Sequence, residues 1–314
     1  MILAFLALMA AFLLFKLLLI VINRFIAWLG RGKMLTKVVE EDKIEAAYAE
    51  QIRQFVQSWE DVRLKRKLGV KKLASPRMTR DEKKALYRGV KKAREEYLSL
   101  MKLSWYQVVI IFLVGSVLGL VLEQIWMYLT AGLTESRVGL VWGPFSPLYG
   151  FGSVFLTIAC WALRKKNVSG FWVFITSVCV GGILEQITGW TMENYFDAVS
   201  WSYLHLPDHI TQWVAWRFLF FWGLIGLIWY KYIMPEVLFR IGMPTTMRQV
   251  VFVSLLAFYI TADIFMTMSC FIRKTERDQG IPASNKFEVW IDENYTDQFI
   301  AARFQNLVIG SQSS

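Results

Sequence analysis

Six runs of apolar residues, most of them long enough to cross a bilayer, constrain this 314-residue chain more than any other feature. They occupy 2–29, 105–129, 148–163, 170–190, 213–233 and 249–272. A hydrocarbon core about 30 Å thick is crossed by about 20 helical residues. Backbone amides cannot stay unpaired in hydrocarbon, so runs of this kind fold as helices. The expected fold class is therefore an all-α polytopic membrane protein with about six transmembrane helices. Composition agrees: 55% of residues are hydrophobic, against about 45–50% in soluble domains.

The first run is interrupted only by Lys16, Asn23 and Arg24, and Arg31, Lys33 and Lys37 follow it. It is too long for the apolar part of a signal peptide. Residues 1–30 are thus expected to be an uncleaved anchor with its amino terminus outside and the following basic residues in the cytoplasm. Residues 31–104 form a basic cytoplasmic insert. Between 31 and 102 there are 20 Lys/Arg and 11 Asp/Glu, a surplus of nine against +10 for the whole chain. Such a stretch favours membrane lipid headgroups over nucleic acid when spanning helices flank it. Ile44, Tyr48, Ile52, Phe55 and Val56 form an apolar stripe at helical spacing, and Ser75-Pro76 breaks it off. Thr79 with Glu82 has the capping-box pattern that opens a helix, here running to about Lys102. The insert reads as a cytoplasmic helical hairpin. A five-helix membrane domain (105–272) and a polar tail (273–314) complete the chain.

Two segments inside the membrane domain resemble each other. Ser116-Val117 followed by Leu122-Glu123-Gln124-Ile125 recurs as Ser177-Val178 followed by Leu184-Glu185-Gln186-Ile187, with the glutamates 62 residues apart. Each helix is followed by a polar loop and a returning helix with a Trp-Gly pair nearby, Trp142-Gly143 and Trp222-Gly223. The pattern suggests two parallel copies of a two-helix unit, a logic used by many transporters.

Charged residues within the spans are the candidate site. Each costs about 2.5–3.5 kcal/mol or more at the centre of a spanning helix, so it needs a partner or a task. Glu123, Glu185, Arg217 and Asp263 fall inside the runs, and Arg137 and Glu193 lie at the outer edge. At ~1.5 Å per residue, Glu123, Glu185 and Asp263 lie about 27, 22 and 21 Å from the inner surface, and Arg217 about 6 Å below the outer one. All four are expected in the outer half of the bilayer, as paired charges locking the helices or as a substrate site. Three carboxylates to one deep arginine leave acids that must protonate, face water or hold a ligand. No metal site or cofactor is expected. His205 and His209 are separated by Pro207 and read as loop histidines, and Cys160, Cys179 and Cys270 read as packing residues.

The loop before the third run contains Gly143, Pro144, Pro147, Tyr149 and Gly150, which preclude a continuous helix from 138 to 152. Irregular backbone at membrane depth must be buried in protein or line a wet cavity. A re-entrant turn lining the site fits, as does an outer loop with an aromatic belt.

Arg137 with Trp142-Gly-Pro-Phe-Ser-Pro-Leu-Tyr-Gly-Phe-Gly152, then Trp201-Ser-Tyr203, then Arg217-Phe-Leu-Phe-Phe-Trp222-Gly223, resemble the motifs of the CmpB-like family of ABC-transporter type IV permeases. The likeness runs over roughly 105–305, with departures at Ser202 and Trp213. It implies a permease. The chain has no G-x-x-x-x-G-K-[ST] loop, so a separate ATPase subunit would dock on the cytoplasmic face, at 34–104 or 234–248. The residues themselves leave three functions open. A permease in the plasma or inner membrane would bind a small or amphipathic substrate at the charged site. A membrane-embedded enzyme would use paired carboxylates as acid and base on a lipid or lipid-linked headgroup. A non-catalytic assembly factor would use the basic hairpin and polar tail within a homo- or hetero-oligomer.

Overall fold

The computed structural model describes residues 78–244 and 246–309, together with isolated positions between 9 and 57. The expected span at 2–29 and the apolar stripe at 40–59 therefore lie largely outside the described residues. Two compact units are present: one contains 103–234 and 246–309, the other 78–102 and 235–244.

In the larger unit the helices are α2 (Trp105–Ala131), α3 (Pro147–Lys165), α4 (Gly170–Phe196), α5 (Trp216–Ile228) and α7 (Met247–Asp278). Two short tail helices, α8 (Lys286–Asn294) and α9 (Asp297–Arg303), follow. The smaller unit contains α1 (Arg80–Leu100) and most of α6 (Met234–Ile241). Among the described residues four helices are long and apolar enough to cross a membrane: Trp105–Ala131, Gly170–Phe196, Trp216–Ile241 and Met247–Asp278. An all-α membrane protein is what the chain forms. The run at 148–163 is helical as the 19-residue α3, in which Gly150 and Gly152 are buried.

Each span presents an exposed apolar face, and its polar residues lie among those buried on the other side. On α7, Val251, Leu255, Phe258, Phe265 and Ile272 are exposed, whereas Val253, Ile260, Asp263, Thr267 and Cys270 are buried. An outward face of this kind suits lipid. Helix Trp216–Ile241 is interrupted by a π-helical turn at Trp229–Ile233, immediately before Pro235. Proline supplies no N–H to the ladder and its ring crowds the carbonyl four residues back, so the register widens there.

The helix pairs α2–α3 and α4–α5 are closed by corresponding contacts. Adding 62 to a number on α2 and 73 to one on α3 leads from three contacts in the first pair to three in the second. A Cβ on Gly119 would overlap the Tyr149 side chain, and one on Gly181 would overlap the Trp222 ring. A Cβ on Gly150 would strike the Phe112 ring, and one on Gly223 the Phe174 ring. Gly115 faces Ser153 in the first pair; in the second, Ser177 faces Gly226, with the small partner on the other helix. By these contacts Trp222-Gly223 corresponds to Tyr149-Gly150. Trp142-Gly143, the counterpart expected from composition, lies in the preceding loop.

The polar tail folds against the same unit. Val308–Ile309 (β2) pairs antiparallel with Ala198–Val199 (β1), which directly follows α4. Ala198, Met266, Phe271, Ile291, Ile300, Phe304 and Ile309 form one apolar cluster beneath it. Arg273, 2% exposed, binds Asp292 through two hydrogen bonds (2.7 and 3.1 Å) and Glu276 at 2.6 Å. Arg277 bridges Asp292 and Asp297 at 2.5 and 2.6 Å. The basic residues at the end of α7 are thus tied to the tail's acids. Hydrogen bonds from Arg273 and Arg277 hold the Asp292 carboxyl below its usual range.

In the smaller unit α1 opens with the expected capping box: Glu82 N donates to Thr79 Oγ1 (3.3 Å) and Thr79 N to Glu82 Oε2 (2.8 Å). Tyr97 packs on Phe239 with ring centroids 5.7 Å apart, and Arg94 reaches Glu236 at 3.3 Å.

Candidate functional site

Glu123 on α2 and Glu185 on α4 share two neighbours, Tyr149 and Tyr203. Tyr149, two residues after Pro147 opens α3, lies within electrostatic range of Glu123 and Glu185. Tyr203, in the loop after β1, is in range of both carboxylates. Burial, then the Glu185 and Glu123 charges, push its phenol above the ordinary value, so it stays protonated and can donate a hydrogen bond. Tyr203 is fixed by stacking on Phe218, with centroids 4.5 Å apart and planes 19° apart.

The two glutamates are satisfied differently. Arg137 Nη1 donates to Glu123 Oε1 at 2.9 Å, the arginine side chain 13% and the glutamate 23% exposed. Glu185 is 7% exposed; its Oε1 accepts from Trp222 Nε1 at 2.8 Å. Its Oε2 is buried and accepts no hydrogen bond. Leaving a buried charged group unpaired costs several kcal/mol, so Glu185 must hold a proton or a cation. With Arg137 matched to Glu123, the cluster carries one carboxylate in excess.

The other expected site residues lie elsewhere. Arg217 is held by Asp208 through its backbone N–H (2.9 Å) and its guanidinium (2.6 Å), and forms no pair with Glu123 or Glu185. Its side chain is 46% exposed at the first turn of α5, so a loop acid captures it before it can reach the interior. Glu193 accepts from Gln212 Nε2 at 3.0 Å, tying the end of α4 to the loop. Asp263 is fully buried near the middle of α7, and its Oδ1 accepts the Trp142 N–H at 2.9 Å.

Asp263 belongs to a clasp on the loop 138–146. Thr267 Oγ1 accepts Val141 N–H (3.0 Å) and Tyr259 donates to the Trp142 carbonyl (3.1 Å). Arg303, on α9, donates to the Leu140 (2.9 Å) and Gly143 (2.6 Å) carbonyls. Trp142 Nε1 donates to Tyr295 (2.9 Å). The glycines and prolines keep this stretch from forming a helix. Its backbone groups are met by side chains of α7 and the tail, which is how irregular backbone survives beside spanning helices. The same stretch carries Arg137 at its entrance and Tyr149 at its exit. Gly143 lies in the clasp beside Pro144, and Gly150 in the α2–α3 contact.

Sequence reasoning missed Trp222 as the donor to Glu185, Tyr203 as a neighbour of both acids, and Arg303 as a clasp. Trp222 was detectable: Gly181-x-x-x-Glu185 repeats Gly119-x-x-x-Glu123, and the glycine marks where a ring enters beside the acid. Arg303 had no signal, because its partners are backbone carbonyls far away in the chain. Among the described residues no group of three or more His, Cys, Asp or Glu is placed to hold a metal ion.

A family model described as "putative ABC-transporter type IV" matches residues 110–268. Comparison with curated proteins and with solved structures gives no match.

Proposed function

The chain belongs to the ABC-transporter type IV family that its residues 110–268 match, and from that premise we propose that it is a permease whose small or amphipathic substrate is held at Glu185, Glu123 and Arg137. One observation carries this reading: Glu185 is buried yet has a carboxylate oxygen with no hydrogen-bond partner, in electrostatic range of Tyr149 and Tyr203. Corresponding carboxylates on two corresponding helix pairs favour a site between two copies of one unit, the place where rocking of one copy against the other changes access.

Sidedness follows the same reading. The loops after α2 and α4 and the tail share one face, as the β1–β2 pairing and the Ser136–Gln305 hydrogen bond (2.7 Å) require. Arg164, Lys165 and Lys166 lie at the opposite end of α3. The positive-inside rule makes that end cytoplasmic, with the acidic cluster towards the outside. An ATPase subunit would engage the cytoplasmic ends, at 34–104 or 234–248, and drive the cycle.

Counterflow in proteoliposomes tests the proposal, using labelled benzylamine, choline, benzoate and a lysolipid. At least one should be taken up, and Glu185→Gln should cut that uptake tenfold or more while Arg217→Ala leaves it within about twofold. Uptake that is indifferent to Glu185→Gln would sink the site assignment.

A further inference from the structure

The two carboxylates are corresponding positions with different partners, and the difference names a ligand. In the first helix pair the charge of Glu123 is met by the Arg137 guanidinium at 2.9 Å, with Tyr149 in electrostatic range. In the second, Glu185 is flanked by the corresponding aromatic partner, Trp222, at 2.8 Å, while its other oxygen accepts nothing. We propose that the Glu185 half of the site binds the guanidinium or primary ammonium group of an exogenous organic cation, in the manner in which Arg137 already binds Glu123. This rests on the permease reading and adds the substrate class to it.

Three further observations point the same way. With Arg137 matched to Glu123, a neutral or anionic ligand would leave Glu185 to be neutralised by a proton, whereas an organic cation compensates its charge directly. The rings of Trp222 and Tyr203 near Glu185 suit an organic cation, which gains from aromatic faces as well as from the carboxylate. A metal ion would want three or more hard ligands, and no such group occurs among the described residues. Trp222 directs one Glu185 oxygen and leaves the other for an N–H donor, which a guanidinium or ammonium supplies and a proton alone would not need.

Titration calorimetry on the full chain in nanodiscs tests this with four probes of similar size: phenylguanidinium, benzylammonium, neutral benzamide and anionic benzoate. The two cations should bind, and benzamide and benzoate should bind at least tenfold more weakly. Glu185→Gln should weaken cation binding tenfold or more. Arg137→Ala removes the built-in cation and should raise the stoichiometry from one phenylguanidinium to two, a gain that a merely misfolded variant would not show. Equal binding of benzamide and the cations, unchanged affinity in Glu185→Gln, or a stoichiometry of one in Arg137→Ala each overturns the inference. Cation binding without uptake in proteoliposomes would defeat the permease reading alone. Uptake of a neutral or anionic solute without cation binding would defeat the cation assignment alone.

Discussion

Exchanging the small residues between one pair of facing helices measures how far the two helix pairs are interchangeable. Gly115→Ser places a Cβ and hydroxyl where Ser153 already sits, and overpacking of this kind costs about 1–3 kcal/mol. Replacing glycine within a helix returns about 0.5 kcal/mol, so the net loss should be about 0.5–2.5 kcal/mol. Ser153→Gly alone leaves the contact loose and loses about the same 0.5 kcal/mol of helix propensity. The double variant, Gly115→Ser with Ser153→Gly, recreates the arrangement that Ser177 and Gly226 already adopt. Its propensity terms cancel and its overlap with Ser153 disappears, leaving a 3.2 Å approach to the Tyr149 carbonyl, so its stability should return to within about 1 kcal/mol of the parent. Membrane proteins often unfold irreversibly, so the readout is the order of thermal midpoints at one scan rate, followed by intrinsic fluorescence in nanodiscs. The expected order is parent and double variant together, Ser153→Gly slightly below, and Gly115→Ser lowest. A double variant as unstable as Gly115→Ser would refute the correspondence of the contacts.

Asp263→Ala should free the Trp142 amide, whose hydrogen bond to a carboxylate is worth about 1.5–3 kcal/mol; hydrogen exchange at Val141–Gly143 should accelerate about 10–100-fold, and unchanged protection would argue against the clasp. Arg303→Ala should accelerate exchange in the same stretch while leaving α4 unaffected, because its carbonyl partners are Leu140 and Gly143. Asp292 is held below its ordinary value by Arg273 and Arg277, so its stabilisation is complete above the unfolded value of about 3.9 and is lost as pH falls through the lower folded value. Proteolysis of the tail should therefore rise on acidification, and Asp292→Asn should be cleaved readily at neutral pH with a flatter pH profile; a variant as resistant as the parent would contradict this.

Much of the helical layout was legible because hydrocarbon dictates it. Runs at 105–129, 170–190 and 249–272 became Trp105–Ala131, Gly170–Phe196 and Met247–Asp278, each extended by residues that composition alone reads as loop. The ends ran on because partners elsewhere made longer helices favourable: Arg273 and Arg277 at the end of α7 are held by Asp292 and Asp297. The tail read as polar. Of the apolar residues in its helices, Ile291 and Ile300 are buried, and they gain that burial in one cluster with Ala198, Met266 and Phe271.

The site divides in the same way. That Glu123, Glu185 and Asp263 are unusual follows from the sequence, since a carboxylate within an apolar run is costly wherever its helix packs. Which of them share a site does not follow. Depth along a helix constrains height but not azimuth, so Arg217 could be matched to either glutamate until Asp208 was seen to hold it. Asp263 became a loop anchor only when the chain at Trp142 folded back against α7. The sequence by itself determined that the chain must enter a membrane as helices and carry acids into it, because the cost of an apolar run in water or a charge in lipid is local. Only the tertiary structure decided that one acid is neutralised from within and the other is not, because that depends on which side chains from distant segments arrive within about 3 Å of an oxygen.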